Sequence, residues 1–103
     1  MLNVYFTIQQ LRRGIPIDSQ VMLVKHRKLA DRANAFCDVL VDFADRVSRD
    51  TNSAFAPYHN EFATLLGTSS AKGLKGASAM AGDKILIVSF IEGEECEVAR
   101  RAY

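Results

Sequence analysis

Tryptophan is absent from this 103-residue chain, and proline occurs only twice, at Pro16 and Pro57. Neither proline nor glycine falls between Ile17 and Ala56, so nothing in that stretch forces a helix to break. Cysteine is equally sparse. Cys37 and Cys96 are the only two, without the C-x-x-C spacing of a redox or zinc motif, and are expected as reduced, buried thiols. No apolar run approaches the roughly 20 residues of a membrane-spanning helix. The N-terminus alternates in polarity instead of forming the apolar centre of a signal peptide. Charge of one sign is lacking too. The net charge is +1, short of the basic excess that non-specific nucleic-acid binding draws on. These absences point to one soluble domain, residues 1–103, in the cytoplasm of its own cell or of a host.

What is present is an ordinary globular composition, 49% apolar and 24% charged, enough for a core without staples. The stretch after Pro16 carries the clearest pattern. Met22, Leu29, Ala33, Phe36, Leu40, Phe43 and Val47 follow a three-four alternation, with His26 filling the one gap. That spacing predicts a long amphipathic helix with a heptad seam. Asp18 or Ser19 would cap it, with Ile17 and Met22 forming a hydrophobic staple. A second stripe of Ala30, Cys37, Val41 and Ala44 widens the apolar face. Asp42 with Arg46 and Asp45 with Arg49 stand four apart on the polar side. The polar cluster Asp50-Thr51-Asn52-Ser53 marks the end. About thirty helical residues would span roughly 45 Å, longer than a compact chain of this size. Such a helix must protrude, bend near Asn34, or bury its seam against a partner.

Around that helix the chain reads as follows. Leu2, Val4, Phe6 and Ile8 alternate with Asn3, Tyr5, Thr7 and Gln9, a half-buried strand, and Arg12-Arg13-Gly14 turns the chain. A short helix is expected from Pro57 to Leu66, with Pro57 in its first turn, Gly67 as C-cap and Phe55 packing back on Phe62. Residues 67–83 are rich in glycine, serine, alanine and lysine and read as a flexible segment. Ile85 to Ile91, polar only at Ser89, is a central strand pairing with the first. Cys96 to Tyr103 is expected as an edge strand. The predicted class is α+β: a small antiparallel or mixed sheet of three strands packed on one long and one short helix, in the order β-α-α-β-β.

No constellation in the sequence carries catalysis or a metal. Lys25-His26-Arg27-Lys28 is the only basic run, and on a helix it fans around the circumference. With Arg12 and Arg13 it defines a nucleic-acid contact set, disfavoured by the charge balance. Lys72 follows Gly67 by five, as in a phosphate loop, but the second glycine and the preceding strand are missing. Lys72 and Lys75 remain as anion contacts. His26 and His59 have no second histidine at ligand spacing. Glu92, Glu94, Glu95 and Glu97 lack the spacing of a calcium loop. No cofactor is implied. The expected function is a non-catalytic protein–protein interaction module. It would self-associate as a homodimer or dock on a larger partner, in the manner of assembly factors, inhibitors and viral accessory proteins. Its contact surface would be the seam Met22, His26, Leu29, Ala33, Phe36, Leu40, Phe43 and Val47. The alternatives are nucleic-acid binding through the basic residues around 12–32, and a small enzyme with Tyr5, His59 and Ser89 converging in a helix–sheet pocket.

Overall fold

The computed structural model of the chain describes residues 2–26 and 32–92. Its N-terminal half departs from the expected long helix. Strand β1 (Leu2–Arg12) is followed by a second strand, β2 (Ile15–His26), and the two form an antiparallel hairpin. The connection is the two residues Arg13 and Gly14, with φ of 54° and 80°. Paired positive φ values define the hairpin turn whose twist matches that of its strands. The expected turn was therefore correctly placed, but it opens a strand. Val21-Met22-Leu23-Val24 is a continuous apolar run, and Ile15, Ile17, Val21 and Val24 are β-branched, which suits a pleated surface better than a helix. The 22–26 spacing that extended the seam N-terminally equally fits alternation, because residues four apart on a strand share a face. Pro16 is accommodated because β2 is an edge strand, beside a register irregularity between Gln10 and Leu11.

Helix α1 (Arg32–Arg49) occupies the second part of the predicted helix. Its 18 residues span about 27 Å, so the length argument for a protruding helix falls away. It ends where the polar cluster begins, and Asp50 Oδ1 accepts the Asn52 N–H at 3.1 Å. A 3-10 turn (Ala56–Tyr58), with Pro57 near its start, leads into α2 (His59–Ala71). Gly67 is inside α2 and does not cap it. The helix ends at Lys72, followed by Gly73 at φ 69°. Gly73 N–H donates to Ser70 O at 3.2 Å and Leu74 N–H to Ser69 O at 2.8 Å, the paired bonds of a Schellman motif.

Residues 67–83, read as a connection, thus supply the end of α2 and an entire strand, β3 (Gly76–Ala81). It turns through Gly82 and Asp83 into β4 (Lys84–Glu92). The sheet has four strands in the order β2-β1-β4-β3, every neighbouring pair antiparallel. The class is α+β as expected, and β1 pairs with β4 as expected. The order is β-β-α-α-β-β, with four strands in place of three and no single long helix. The predicted strand at 96–103 lies outside the described residues.

Both helices pack on one face of the sheet. Leu2, Val4, Phe6 and Ile8 of β1, Val24 of β2, and Leu86 and Val88 of β4 are buried there against Val39, Phe43 and Val47 of α1 and Phe62, Leu65 and Leu66 of α2. An aromatic cluster centres on Phe43. It stacks on Phe6 with centroids 4.1 Å apart and meets Phe55 and Phe62 edge-on. Phe55 contacts Phe62 at 5.8 Å, the expected return packing.

Candidate functional site

The eight seam positions do not form one stripe. Met22 and His26 lie on the helix-facing side of β2, which pairs Met22 with Phe6 and His26 with Leu2. Leu29 is outside the described residues, and Ala33 falls in the first turn of α1. Phe36 and Leu40 are half-buried, and Phe43 and Val47 buried, in contact with the core of the same chain. Val39, fully buried and adjacent to the predicted stripe, completes this face. Of the second stripe, Cys37 and Val41 point outward, whereas Ala44 is half-buried. Cys37 is an exposed free thiol, not a buried one, and Val41 is 65% exposed. Ala30 and Cys96 are outside the described residues.

The polar seam residue has a defined partner. His26 Nε2 lies 3.2 Å from Asp38 Oδ2, joining the end of β2 to α1. Arg46 donates from Nη1 to the backbone carbonyl of Leu23. Arg49 pairs with Asp45 as its i,i+4 spacing predicts.

The basic set is dispersed. Arg12 and Arg13 sit at the hairpin turn, whereas Lys25 pairs with Asn3 at the other end. At about 3.4 Å per residue, the nine steps from Asn3 to Arg12 separate them by roughly 30 Å. Arg27 and Lys28 are outside the described residues. Lys72 caps α2, and Lys75 precedes β3 on the far edge of the sheet, its carbonyl accepting the Phe90 N–H at 2.6 Å. The proposed pocket triad is divided by the sheet. Tyr5 and Ser89 are cross-strand neighbours on the face away from the helices. His59 is on the other side, where its ring stacks parallel to Phe43 at 5.5 Å and its Nε2 is buried. That histidine serves as an aromatic plate at the start of α2. Among the described residues no group of three or more His, Cys, Asp or Glu side chains is placed to hold a metal ion. No described helix is long and apolar enough to cross a membrane.

The far face of the Ile85–Ile91 strand, expected from its sequence to need cover, is part of a whole sheet face over which no described helix packs, widened by the unexpected strands β2 and β3. Alternation along the four strands assigns it Asn3, Tyr5, Thr7 and Gln9 from β1, and Ser19, Val21, Leu23 and Lys25 from β2. It adds Ile85, Ile87, Ser89 and Ile91 from β4, and Gly76, Ser78 and Met80 from β3. Val21 is 44% and Met80 59% exposed, and Leu23, Ile85, Ile87 and Ile91 are half-buried. Tyr5, in the middle, is only 7% exposed. Lys25 is the one charged residue in the set, at a corner. The signal was available in the alternation of the Ile85–Ile91 run, which has large apolar side chains on both faces, and in Val21 and Leu23 once β2 is a strand.

No family model matches the chain, and neither the curated proteins nor the solved structures give a significant match.

Proposed function

We propose that this chain is a non-catalytic protein–protein interaction module whose docking surface is the face of its sheet away from α1 and α2. The observation that carries the reading is the character of that face. It presents Val21, Leu23, Met80 and three isoleucines with a single charged residue beside them. A contiguous apolar patch of this kind on a small domain is characteristic of a binding surface. The helix seam does not compete for the role, because Phe36, Leu40, Phe43 and Val47 are already spent on the intramolecular core. Nor do the scattered basic residues or the divided Tyr5–His59–Ser89 set form one site. Self-association and docking on a larger partner are both within this reading.

A photoreactive phenylalanine analogue placed at Val21, and separately at Val41 on the solvent side of α1, tests it. Irradiation of cells producing the protein is expected to yield discrete adducts from position 21 and none from position 41. Absence of adducts at 21, or equal adducts from both, would place the docking surface elsewhere or nowhere.

A further inference from the structure

We infer that the chain pairs with a second copy of itself edge to edge, β3 against β3, joining the two sheets into one continuous antiparallel sheet. The inference concerns the rim of the sheet and does not depend on the docking reading of its outward face. It starts from a contrast between the two edge strands of the order β2-β1-β4-β3. β2 carries the devices that keep an edge from pairing. It has Pro16, the charges of Asp18 and Lys25, a register irregularity beside Gln10 and Leu11, and a Leu23 carbonyl that accepts from Arg46. β3 has none of these. Gly76-Ala-Ser-Ala-Met-Ala81 holds no proline and no charge, and its register with β4 runs without a shift. Ala79 on the helix side and Ser78 and Met80 on the other are all exposed, so neither face roofs over the middle of the strand. No described strand lies beyond it.

The phase of the ladder decides which groups this edge offers. Phe90 N–H donates to Lys75 O at 2.6 Å, and bonded and non-bonded rungs alternate in an antiparallel pair. Ala77, Ala79 and Ala81 therefore turn their backbone groups toward β4, and Gly76, Ser78 and Met80 turn theirs to the open edge. A second β3, related by a two-fold axis passing through the sheet at Ser78, presents the same residues in matching phase. Ser78 then meets its own image, with Gly76 opposite Met80 on either side. These rungs exchange about six backbone hydrogen bonds. A slip of one residue would set the same groups against alanines whose own groups are already bonded to β4.

The occupant is argued from the same strand. A foreign peptide added to an edge is selected by pockets for its alternate side chains, and Gly76 to Ala79 are too small to build them. Self-pairing needs only the matching phase, and it sets no like charges opposite each other. The strand carries no charge, and Lys75, just before it, comes beside Ala81. Met80, the one bulky side chain, comes beside Gly76, which has no side chain to crowd it. Such an isologous contact closes on itself. It uses both β3 edges and leaves the blunted β2 edges outermost, so growth stops at two copies. Short strands meeting at their edges bury little apolar area, so the dimer is expected to be weak and concentration-dependent.

Sedimentation velocity of the purified full-length protein over a wide concentration range, with amide hydrogen exchange read by NMR at both ends of that range, tests this. The expected result is a reversible shift from 11.4 kDa toward twice that mass. Exchange of the Ser78 and Met80 N–H groups is expected to slow about tenfold once roughly nine-tenths of the chains are paired, while Val21 N–H on the opposite edge keeps its rate. Ser78→Pro removes an outward donor without touching a bond to β4. Ser78→Lys sets two cations against each other at the axis. Each is expected to weaken the dimer about tenfold or more. A wild-type chain that stays monomeric throughout overturns the inference. So does a dimer whose Ser78 and Met80 amides exchange as fast as in the monomer, or one indifferent to Ser78→Lys. The adducts from position 21 test the outward face alone, so either reading can fall without the other.

Discussion

The two faces of this one sheet use the same strands to different ends. On the helix side, β1 contributes Leu2, Val4, Phe6 and Ile8, all buried under α1 and α2. On the other side, the same strand contributes Asn3, Tyr5, Thr7 and Gln9, flanked by apolar residues of β2 and β4 that no described helix covers. A sheet with one solvated face ordinarily alternates apolar with polar. Here β1 obeys that rule while β2 and β4 break it, since Val21, Leu23, Ile85, Ile87 and Ile91 face outward. Burial on the helix side stabilises the monomer. On the other side Val21 and Met80 stay exposed and Leu23, Ile85, Ile87 and Ile91 half-buried, while Tyr5 and Asn3 between them are buried.

The comparison predicts unequal costs, and the largest belongs to Phe43. Among the described residues its ring is the only one to contact Phe6, His59, Phe55 and Phe62 together. Phe43→Ala is expected to lose about 3–5 kcal/mol, a large part of the stability of a domain this size, read as a fall in the urea midpoint. A charged residue at position 43 would unfold the protein and would not release a folded monomer, as a seam between chains would have required. A variant that remains well folded would show that the aromatic cluster is not the core.

Two valines three residues apart on β2 divide the faces more finely. Val24 is 0% exposed under the helices, whereas Val21 faces outward. Removing two methyl groups from Val24 by Val24→Ala should cost about 2 kcal/mol. Val21→Ala should stay within about 0.5 kcal/mol. Paired denaturation curves decide it: equal losses would mean the outward face is as much part of the monomer core as the inward one.

How much of this was legible depended on which periods the residues admit. Leu2 to Gln9 alternate without ambiguity, and β1 was readable together with its partner at Ile85–Ile91. The end of α1 was readable from Asp50 to Ser53. The segment from Ile15 to His26 was not, because Met22 and His26 fit a helical repeat of four and a strand repeat of two equally well. Absence of proline and glycine between Ile17 and Ala56 permits a helix without requiring one. Arg13-Gly14 between two apolar runs was the deciding cue. β3 was hidden for a different reason. Gly76-Ala-Ser-Ala-Met-Ala has no β-branched residue, so its strand conformation comes from pairing with β4 rather than from its own preference. The outward face was therefore legible only in part, from the apolar residues on both sides of Ile85–Ile91, because its β2 and β3 rows exist only when those segments are strands.

The β1–β2 turn supports both faces at once, because β2 contributes to each. Gly14 adopts φ 80°, and a Cβ there would meet nothing within 4 Å, so the cost of substitution is conformational and not steric. An L-residue in this region loses about 1–2 kcal/mol, offset in part by the reduced freedom of the unfolded chain. Gly14→Ala should therefore destabilise by about 1 kcal/mol, whereas Gly14→Asn should cost less, since asparagine tolerates positive φ. Thermal unfolding of the pair, with no difference between them, would remove the hairpin-turn assignment.

The smallest expected effect concerns how tightly the helices close over the inner face. Gly67 lies within α2, and a Cβ built there would sit 3.4 Å from Phe36 Cζ and 3.6 Å from Cε2, ordinary contact with the edge of a half-buried ring of α1. Alanine is favoured over glycine in a helix interior by about 0.8–1.0 kcal/mol. The Phe36 ring has room to yield because it is not fully enclosed. Gly67→Ala should then stabilise by roughly 0.5 kcal/mol, a small rise in the urea midpoint with an unchanged slope. A clear loss of stability would mean that α1 and α2 approach through Gly67 with no slack. The inner face would then be closed by backbone proximity between the helices as well as by the aromatic cluster beneath them.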